Sequence, residues 1–322
     1  MQSLLSFGRV VAAAAVIAIA APAAPAAAAD QFINVLTGGT SGVYYPLGVA
    51  LANIIGKAIP SVKTSVQATK ASVENLNLLE AGRGEIAFTL GDSLSDAWQG
   101  HEEAGFKTPL KKLRGIAAIY PNYIQIVASK ESGIRTLADL KGKRVSVGAP
   151  KSGTELNARV IFKAAGLDYK DFSKVEYLPF GESVELMKNR QLDVTLQSAG
   201  LGVSALRDLA VSLPIVVVAI PADVIKKAND PAYVPAIIPA HTYEGQDADV
   251  PSAAVQNFLV THTGVSDDEV YQMTKALWTN LPQLVAAHSA AKAINIKNAL
   301  AGMPIPLHPG AAKYYKEVGI LK

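Results

Sequence analysis

Hydrophobic and polar positions along this chain switch repeatedly between a period of two and a period near 3.6, the signatures of strand and helix. The switch is sharpest at 32–56, which reads FINVLTGGTSGVYYPLGVALANIIG. Ile33, Val35 and Leu36 suit a buried strand, and Gly38, Gly39 and Gly42 allow a tight turn. Val43, Leu47, Ala50, Leu51, Ile54 and Ile55 then recur at helical spacing. Such a turn leaves the first amides of the helix without intrahelical partners and aims them beyond the strand end. With the helix dipole, this makes a site for a small anion such as a carboxylate.

The alternation continues down the chain. Residues 62–68 (VKTSVQA) read as a strand, and Ser72 is placed to cap the helix VENLNLLEAG that follows. Gly82-Arg83-Gly84 breaks that helix, and 86–90 forms another short strand. Residues 113–128 (LRGIAAIYPNYIQIVA) form a long β-prone run, interrupted only by Pro121 and long enough to pass from one domain to another. A second strand–turn–helix unit follows, with its strand at 144–147, its turn at 148–153 and a helix that Thr154 opens and Gly166 stops. Further strands are expected at 177–180 and 192–196, and 213–220 (LPIVVVAI) reads as a buried parallel strand. Residues 266–300 are expected to be helical with Trp278 on the apolar face, and a last short helix lies near 314–318. Strands alternating with helices predict a mostly parallel α/β sheet. The return crossing falls near 250–260 (VPSAAVQNFLV). That divides the chain into a discontinuous domain, 30–121 with 254–322, and a second domain, 122–253.

Ligands of open α/β sheets sit beyond the carboxyl ends of the strands. The residues expected there form two rims: 37–45, 69–75 and 92–93 on one side, and 151–155, 181–183 and 197–200 on the other. Both are rich in glycine and hydroxyls and almost lack catalytic acids, bases and ligand histidines. Two facing polar rims make a cleft whose composition favours holding a solute over transforming it. The ligand-binding candidates are Thr40, Ser41, Gly42, Tyr44, Ser72, Asn75, Asp92, Tyr120, Lys151, Ser152, Gly153, Thr154 and Ser198. Asp92 stands either to receive an ammonium or to cap the helix after its strand. Tyr120 and Tyr123 stand either against the ligand or in the hinge.

Residues 1–29 carry one charge, Arg9, then an apolar run over 10–21, Pro22, Pro25 and Ala27-Ala28-Ala29 ahead of Asp30. This is the pattern of a cleavable secretory signal peptide, since a membrane anchor needs about 20 unbroken apolar residues. No twin arginine and no cysteine at the cleavage site are present, so the general secretory route into the periplasm, without lipid anchoring, is expected. The absence of cysteine anywhere excludes disulfides, thiol catalysis and thiolate metal sites. A formal charge of +3 over the 322 residues is too balanced to suggest nucleic acid as a partner.

Several catalytic and cofactor motifs fail on inspection. A dinucleotide site after Gly38–Gly42 would want an acid at the end of the next strand, which instead reads Gln67-Ala68-Thr69. Val43 stands where the second glycine of a nucleophile elbow around Ser41 would be, and GAPKSGT at 148–154 lacks the order of a phosphate loop. His101, His241, His262, His288 and His308 show no metal-ligand spacing, and S-x-x-K at 289–292 lacks its companion motifs. No cofactor, metal or catalytic residue is expected.

Four stretches together resemble a known family: GGTSGVYYPLG, YPNYIQIV at 120–127, DLKGKRVSVGAPKSGTELNA at 139–158 and IPLHPGAAKYYKEVG at 305–319. They are similar to the TAXI solute-binding proteins, the extracytoplasmic receptors of one branch of the tripartite ATP-independent periplasmic (TRAP) transporters. The resemblance implies a type II-like, two-lobed periplasmic binding protein, with two α/β domains joined by hinge strands around a ligand cleft. It also implies a small carboxylate ligand, such as glutamate, glutamine or 2-oxoglutarate, held by clamshell closure. Delivery would be to TRAP membrane subunits, small and large, separate or fused. One position departs from the family pattern, which commonly reads GAPGSGT: Lys151 replaces the middle glycine, and either adds a cation to the pocket or turns to solvent. Two rival readings remain. One is a periplasmic dehydratase or hydrolase using Asp92 with Glu155 or Glu182; the other is a receptor for an ATP-driven (ABC) importer or a sensor kinase.

Overall fold

The computed structural model describes residues 31–322. The signal peptide expected over 1–29 lies outside the described residues. In chain order the elements of the first part are β1 (Gln31–Leu36), α1 (Tyr44–Ala58), β2 (Val62–Gln67), α2 (Ser72–Glu80), β3 (Ile86–Leu90), α3 (Gly91–Gln99) and the long β4 (Leu113–Ser129). The middle part holds β5 (Arg144–Ser146), α4 (Gly153–Ala164), β6 (Lys174–Glu176), α5 (Phe180–Lys188), β7 (Val194–Ala199) and α6 (Ser204–Ser212). It continues with β8 (Ile215–Val218), α7 (Ala222–Ala228) and β9 (Val234–Ile238). The chain returns through β10 (Val250–His262) and ends with α8 (Asp267–Thr279), α9 (Leu281–Ala287) and α10 (Pro309–Glu317).

The strands join in the order β2-β1-β3-β10-β4-β7-β5-β6, with β8 attached to β4 and β9 to β10. β1 lies parallel to β2 and β3, and β5 lies parallel to β6 and β7. These two parallel groups are the centres of two lobes. Between them β10 and β4 run antiparallel to each other and to their outer neighbours, so the sheet is mixed rather than mostly parallel. The expected buried parallel strand at 213–220 is β8, which is antiparallel to β4 and only half-buried at Val216 and Val217. The strand expected at 177–180 lies earlier, at β6, because Pro179 presets the backbone for a helix start and Phe180 opens α5. The long C-terminal helix is broken at Asn280, since Pro282 has no N–H to continue it, and 3-10 turns follow at Ser289–Ala293 and Ile296–Asn298. The last helix starts earlier than expected, at Pro309, where the His308 ring nitrogen Nδ1 accepts from the Gly310 amide.

β4 and β10 each serve both lobes. β10 pairs with β3 over Asn257–Val260 and with β9 over Val250–Ala254; β4 pairs with β7 over Tyr123–Ala128. Pro121 sits opposite Gln256, where the register of the two strands shifts, because proline cannot donate to the ladder. Side chains replace what the backbone loses there. Buried Asn257 donates to the Tyr120 carbonyl at 2.8 Å and to Asn122 Oδ1 at 2.8 Å, and accepts from the Tyr44 hydroxyl. Asn122 in turn donates to the Ser198 carbonyl at 3.0 Å. The C-terminal helices are tied to the same strand: Trp278 Nε1 donates to the Tyr315 hydroxyl at 3.0 Å, which donates to the Ile116 carbonyl at 2.9 Å.

Asn257→Ala would leave the Tyr44 hydroxyl and Asn122 Oδ1 buried without their partner. The expected loss of unfolding free energy is about 2–4 kcal/mol, measured by urea titration followed by circular dichroism. A loss under about 0.5 kcal/mol would show that solvent satisfies these groups and that the amide does not set the hinge.

Candidate functional site

The parallel strands of both lobes end at one cleft, whose void, including its open mouth, is about 690 Å³. Its walls come from the starts of four helices: Gly42, Val43 and Tyr44 of α1, Ala71 and Ser72 of α2, Ser152, Gly153 and Thr154 of α4, and Pro179 and Phe180 of α5. β4 adds Tyr120 and Asn122, and β7 adds Ser198 and Ala199. Helix starts α1, α2 and α5 have no side-chain cap, so their first amides lack the partner that usually satisfies them, apart from the Glu74 amide of α2, which donates to the Lys151 carbonyl. Only α4 is capped, by Ser152 Oγ accepting from the Glu155 amide at 3.1 Å.

The backbone is strained at the same place. Ala71 has φ 70° and ψ −146°, a region that favours glycine, and it lines the cleft. Thr69 Oγ1 accepts from its amide at 2.9 Å, and Asn75 fixes that threonine at 2.6 Å. Two further polar atoms point to a ligand: the Tyr120 hydroxyl and Ser198 Oγ are buried with no hydrogen-bond partner among the described residues. Among the described residues, the one charged residue lining the cleft is Lys70, exposed at its rim, and no carboxylate lines it. Uncapped helix starts plus a lysine make the cleft electropositive.

Eight of the candidates from the sequence line the cleft: Gly42, Tyr44, Ser72, Tyr120, Ser152, Gly153, Thr154 and Ser198. Ser72 is there for a different reason than expected. It does not cap α2; its hydroxyl accepts from the Leu90 amide at 3.1 Å, joining α2 to the end of β3. Five candidates lie outside the lining. Asn75 sits beneath it, donating to the carbonyls of Thr37 and Phe88 at 2.7 and 2.9 Å. Thr40 is exposed, and the Ser41 carbonyl accepts from Ser204 Oγ at 2.8 Å. Lys151 turns to solvent with φ 60°, a left-handed conformation that suits glycine better. Of the two readings of Lys151, a pocket cation or a side chain turned to solvent, the structure takes the second, and the cation lining the cleft is Lys70.

Asp92 is neither an open ammonium receptor nor a helix cap. Its carboxylate is buried between the lobes, accepting from the Tyr233 hydroxyl at 2.7 Å, from Asn157 Nδ2 at 2.5 Å and from the Ser93 amide at 2.7 Å. Burial pushes its pKa up to about 6, against the opposing pull of the Tyr233 hydrogen bond. Glu155 is engaged by Arg159 at 2.7 Å and by Tyr169 at 3.1 Å, and Glu182 is exposed; neither lines the cleft. Among the described residues no group of His, Asp and Glu is arranged to hold a metal.

The lobes meet closely around the cleft. A Cβ on Gly153 would lie 2.7 Å from Ser72 Oγ and 2.6 Å from Leu90, so only glycine lets α4 approach α2 this far. The Lys151 carbonyl accepts from the Glu74 amide at 3.3 Å, and Arg159 donates to the Glu103 carbonyl at 2.9 Å. This is a closed arrangement. Lys70 and Ala71 lie within the expected 69–75 rim but were not singled out, and Asn122, Pro179 and Phe180 were missed. Pro179 was the available signal, as a proline at a helix start.

Two lobes, two crossing strands and a cleft lined by helix starts are the architecture of the two-lobed periplasmic-binding-protein fold. Residues 35–319 match the NMT1-like family, and the chain belongs to that family. Solved structures agree on the fold. The chain is similar to periplasmic binding protein BugD, with a TM-score of 0.59 and 12% identity over 91% of this chain and 99% of that one. It is also similar to PhnD1 from Prochlorococcus marinus in complex with methylphosphonate, with a TM-score of 0.54 and 13% identity over 81% and 91%. A putative L-cystine ABC transporter from Listeria monocytogenes matches with a TM-score of 0.51 and 17% identity over 82% and 98%.

The folded chain binds a proton at Asp92 more tightly than the unfolded chain, where an aspartate titrates near 4. This stabilising contribution is therefore full below about pH 4 and is lost as pH rises through about 6. Comparing wild type with Asp92→Asn by urea unfolding at pH 4, 5.5 and 7, the balance should swing toward the variant with rising pH. The expected swing is up to about 3 kcal/mol. A constant difference across the range would mean that Asp92 does not titrate there.

Proposed function

We propose that this protein is an extracytoplasmic solute receptor that binds a small organic anion by clamshell closure and passes it to a membrane transporter. One observation carries the reading: three uncapped helix starts and Lys70 face a single cleft that no carboxylate of the described residues lines. Carboxylate oxygens would accept from the helix amides, with Tyr120 and Ser198 supplying hydroxyls from the hinge and the far wall. Within the set of glutamate, glutamine, 2-oxoglutarate and similar carboxylates, the cleft suits acids without an ammonium group. Asp92, the one acid placed to receive an ammonium, is committed to Tyr233 and Asn157.

The lobes are taken as 30–121 with 254–322 and 122–253, turning about β4 and β10. The signal peptide over 1–29 would place the receptor in the periplasm. Four motifs shared with the TAXI proteins support a TRAP-type secondary transporter as its partner. Closure brings Gly153 against Ser72 and Leu90 and presents a changed outer surface to the membrane subunits.

The test is a thermal-shift and calorimetry screen of protein unfolded and refolded to strip carried ligand. Organic acids without an amine should bind, and amino acids of equal length should bind more weakly. A ligand at about 1,000 times its Kd stabilises by roughly 4 kcal/mol, a midpoint rise on the order of several degrees for a chain of this size. Gly153→Val should lower affinity more than about tenfold, because its side chain collides with Ser72 when the lobes close. Lys70→Met should lower it about fivefold and flatten its salt dependence. If no organic anion shifts the midpoint, the receptor reading fails.

A further inference from the structure

Apolar side chains meet the void of the cleft from both lobes. Val43, Ala71 and Leu90 line it on the first lobe, and Ala149, Pro179 and Phe180 line it on the second. Phe180 reaches toward the opposite wall: a Cβ on Gly42 would stand 3.9 Å from its ring. A ligand between the walls therefore lies against carbon on both sides.

Much of the polar lining is turned toward the protein itself. The Tyr44 hydroxyl donates to Asn257, and the Asn122 side chain accepts from Asn257 and donates to the Ser198 carbonyl. Thr69 Oγ1 donates to the Thr37 carbonyl at 3.0 Å, and the Ser72 and Ser152 oxygens accept from the amides of Leu90 and Glu155. The buried lining hydroxyls left without a partner among the described residues are those of Tyr120 and Ser198. Both are uncharged, and the one cation of the lining, Lys70, is exposed at the rim. The helix starts also offer fewer donors than three open turns would. Pro46 has no N–H in the first turn of α1, and the Glu74 amide of α2 already donates to the Lys151 carbonyl. One carboxylate is well served here. A second one, set deeper against the apolar walls, would be desolvated without a counter-charge.

We propose that the ligand is a monocarboxylate with an apolar body. Its carboxylate sits at the helix starts, and its carbon chain or ring lies against Phe180, Leu90 and Val43. The inference rests on the receptor reading above and narrows its ligand class, setting diacids below monoacids of equal length. Phe180 belongs to the second lobe and Leu90 and Val43 to the first, so an apolar body touches both only when the lobes are closed. Removing that carbon surface from water then favours the closed state over the open one.

Calorimetry on the stripped protein tests this with butanoate, pentanoate and hexanoate against succinate, glutarate and adipate. Each added methylene should tighten the monoacid about threefold to fourfold until the cleft is full. At the best length the monoacid should bind at least about tenfold tighter than its diacid. Its binding should also show a negative heat-capacity change, the mark of apolar burial. In Phe180→Ala, with an unfolding midpoint confirming the fold, the preference should fall to within about threefold while diacid affinity stays within about twofold. Affinity that does not rise with chain length, diacids that bind as tightly as their monoacids, or a preference that survives Phe180→Ala each overturn the proposal. The first two are read on the wild type, so they stand even if the variant does not fold. If diacids bind and monoacids do not, only this inference fails; if no acid binds, the receptor reading fails with it.

Discussion

The buried carboxamide of Asn257 holds the middle of this molecule. Its oxygen accepts from Tyr44 at the start of α1, and its nitrogen donates to Tyr120 and Asn122 of β4. Through Asn122 it reaches the Ser198 carbonyl on the facing wall. One side chain therefore relates the first helix start, both crossing strands and the far side of the cleft. It sits where Pro121 removes a donor from the β4–β10 ladder. Weakened backbone pairing with strong side-chain pairing is a physical basis for strands that bend without separating.

Around that centre, the cleft is built from ends that are left open. α1, α2 and α5 start without side-chain caps, and Ala71 holds a conformation that glycine would adopt more easily. Each costs stability in the free protein, and together they leave donors aimed at one volume. Such an arrangement would be preorganised for the anion proposed above.

The proposed closure depends on contacts in the lining and behind it. Gly153 allows α4 to touch α2, while Asp92 joins α3 to Asn157 and Tyr233 behind the contact. A ligand favours this arrangement only by the extent to which it binds the closed state more tightly than the open one. Those interlobe bonds set the balance from which it works.

Local spacing determined much of this in the sequence. The strand–turn–helix units at Ile33–Ile55 and around Thr154, the long β-prone run broken at Pro121 and the polar rims were all legible, because apolar periodicity and glycine turns act within a few residues. Six of the eight candidates that line the cleft do so because a helix start after a strand is a local feature; Tyr120 and Ser198 are on strands. Tertiary structure decided the rest. β8 runs antiparallel because it pairs with β4, a partner that its own sequence does not specify. Lys70 faces the cleft and Lys151 faces solvent, although both sit beside helix starts, because packing of the lobes selects which loops turn inward. Asp92 finds its partners 65 and 141 residues away, at Asn157 and Tyr233, and no spacing in the chain encodes a contact that exists only when two lobes meet.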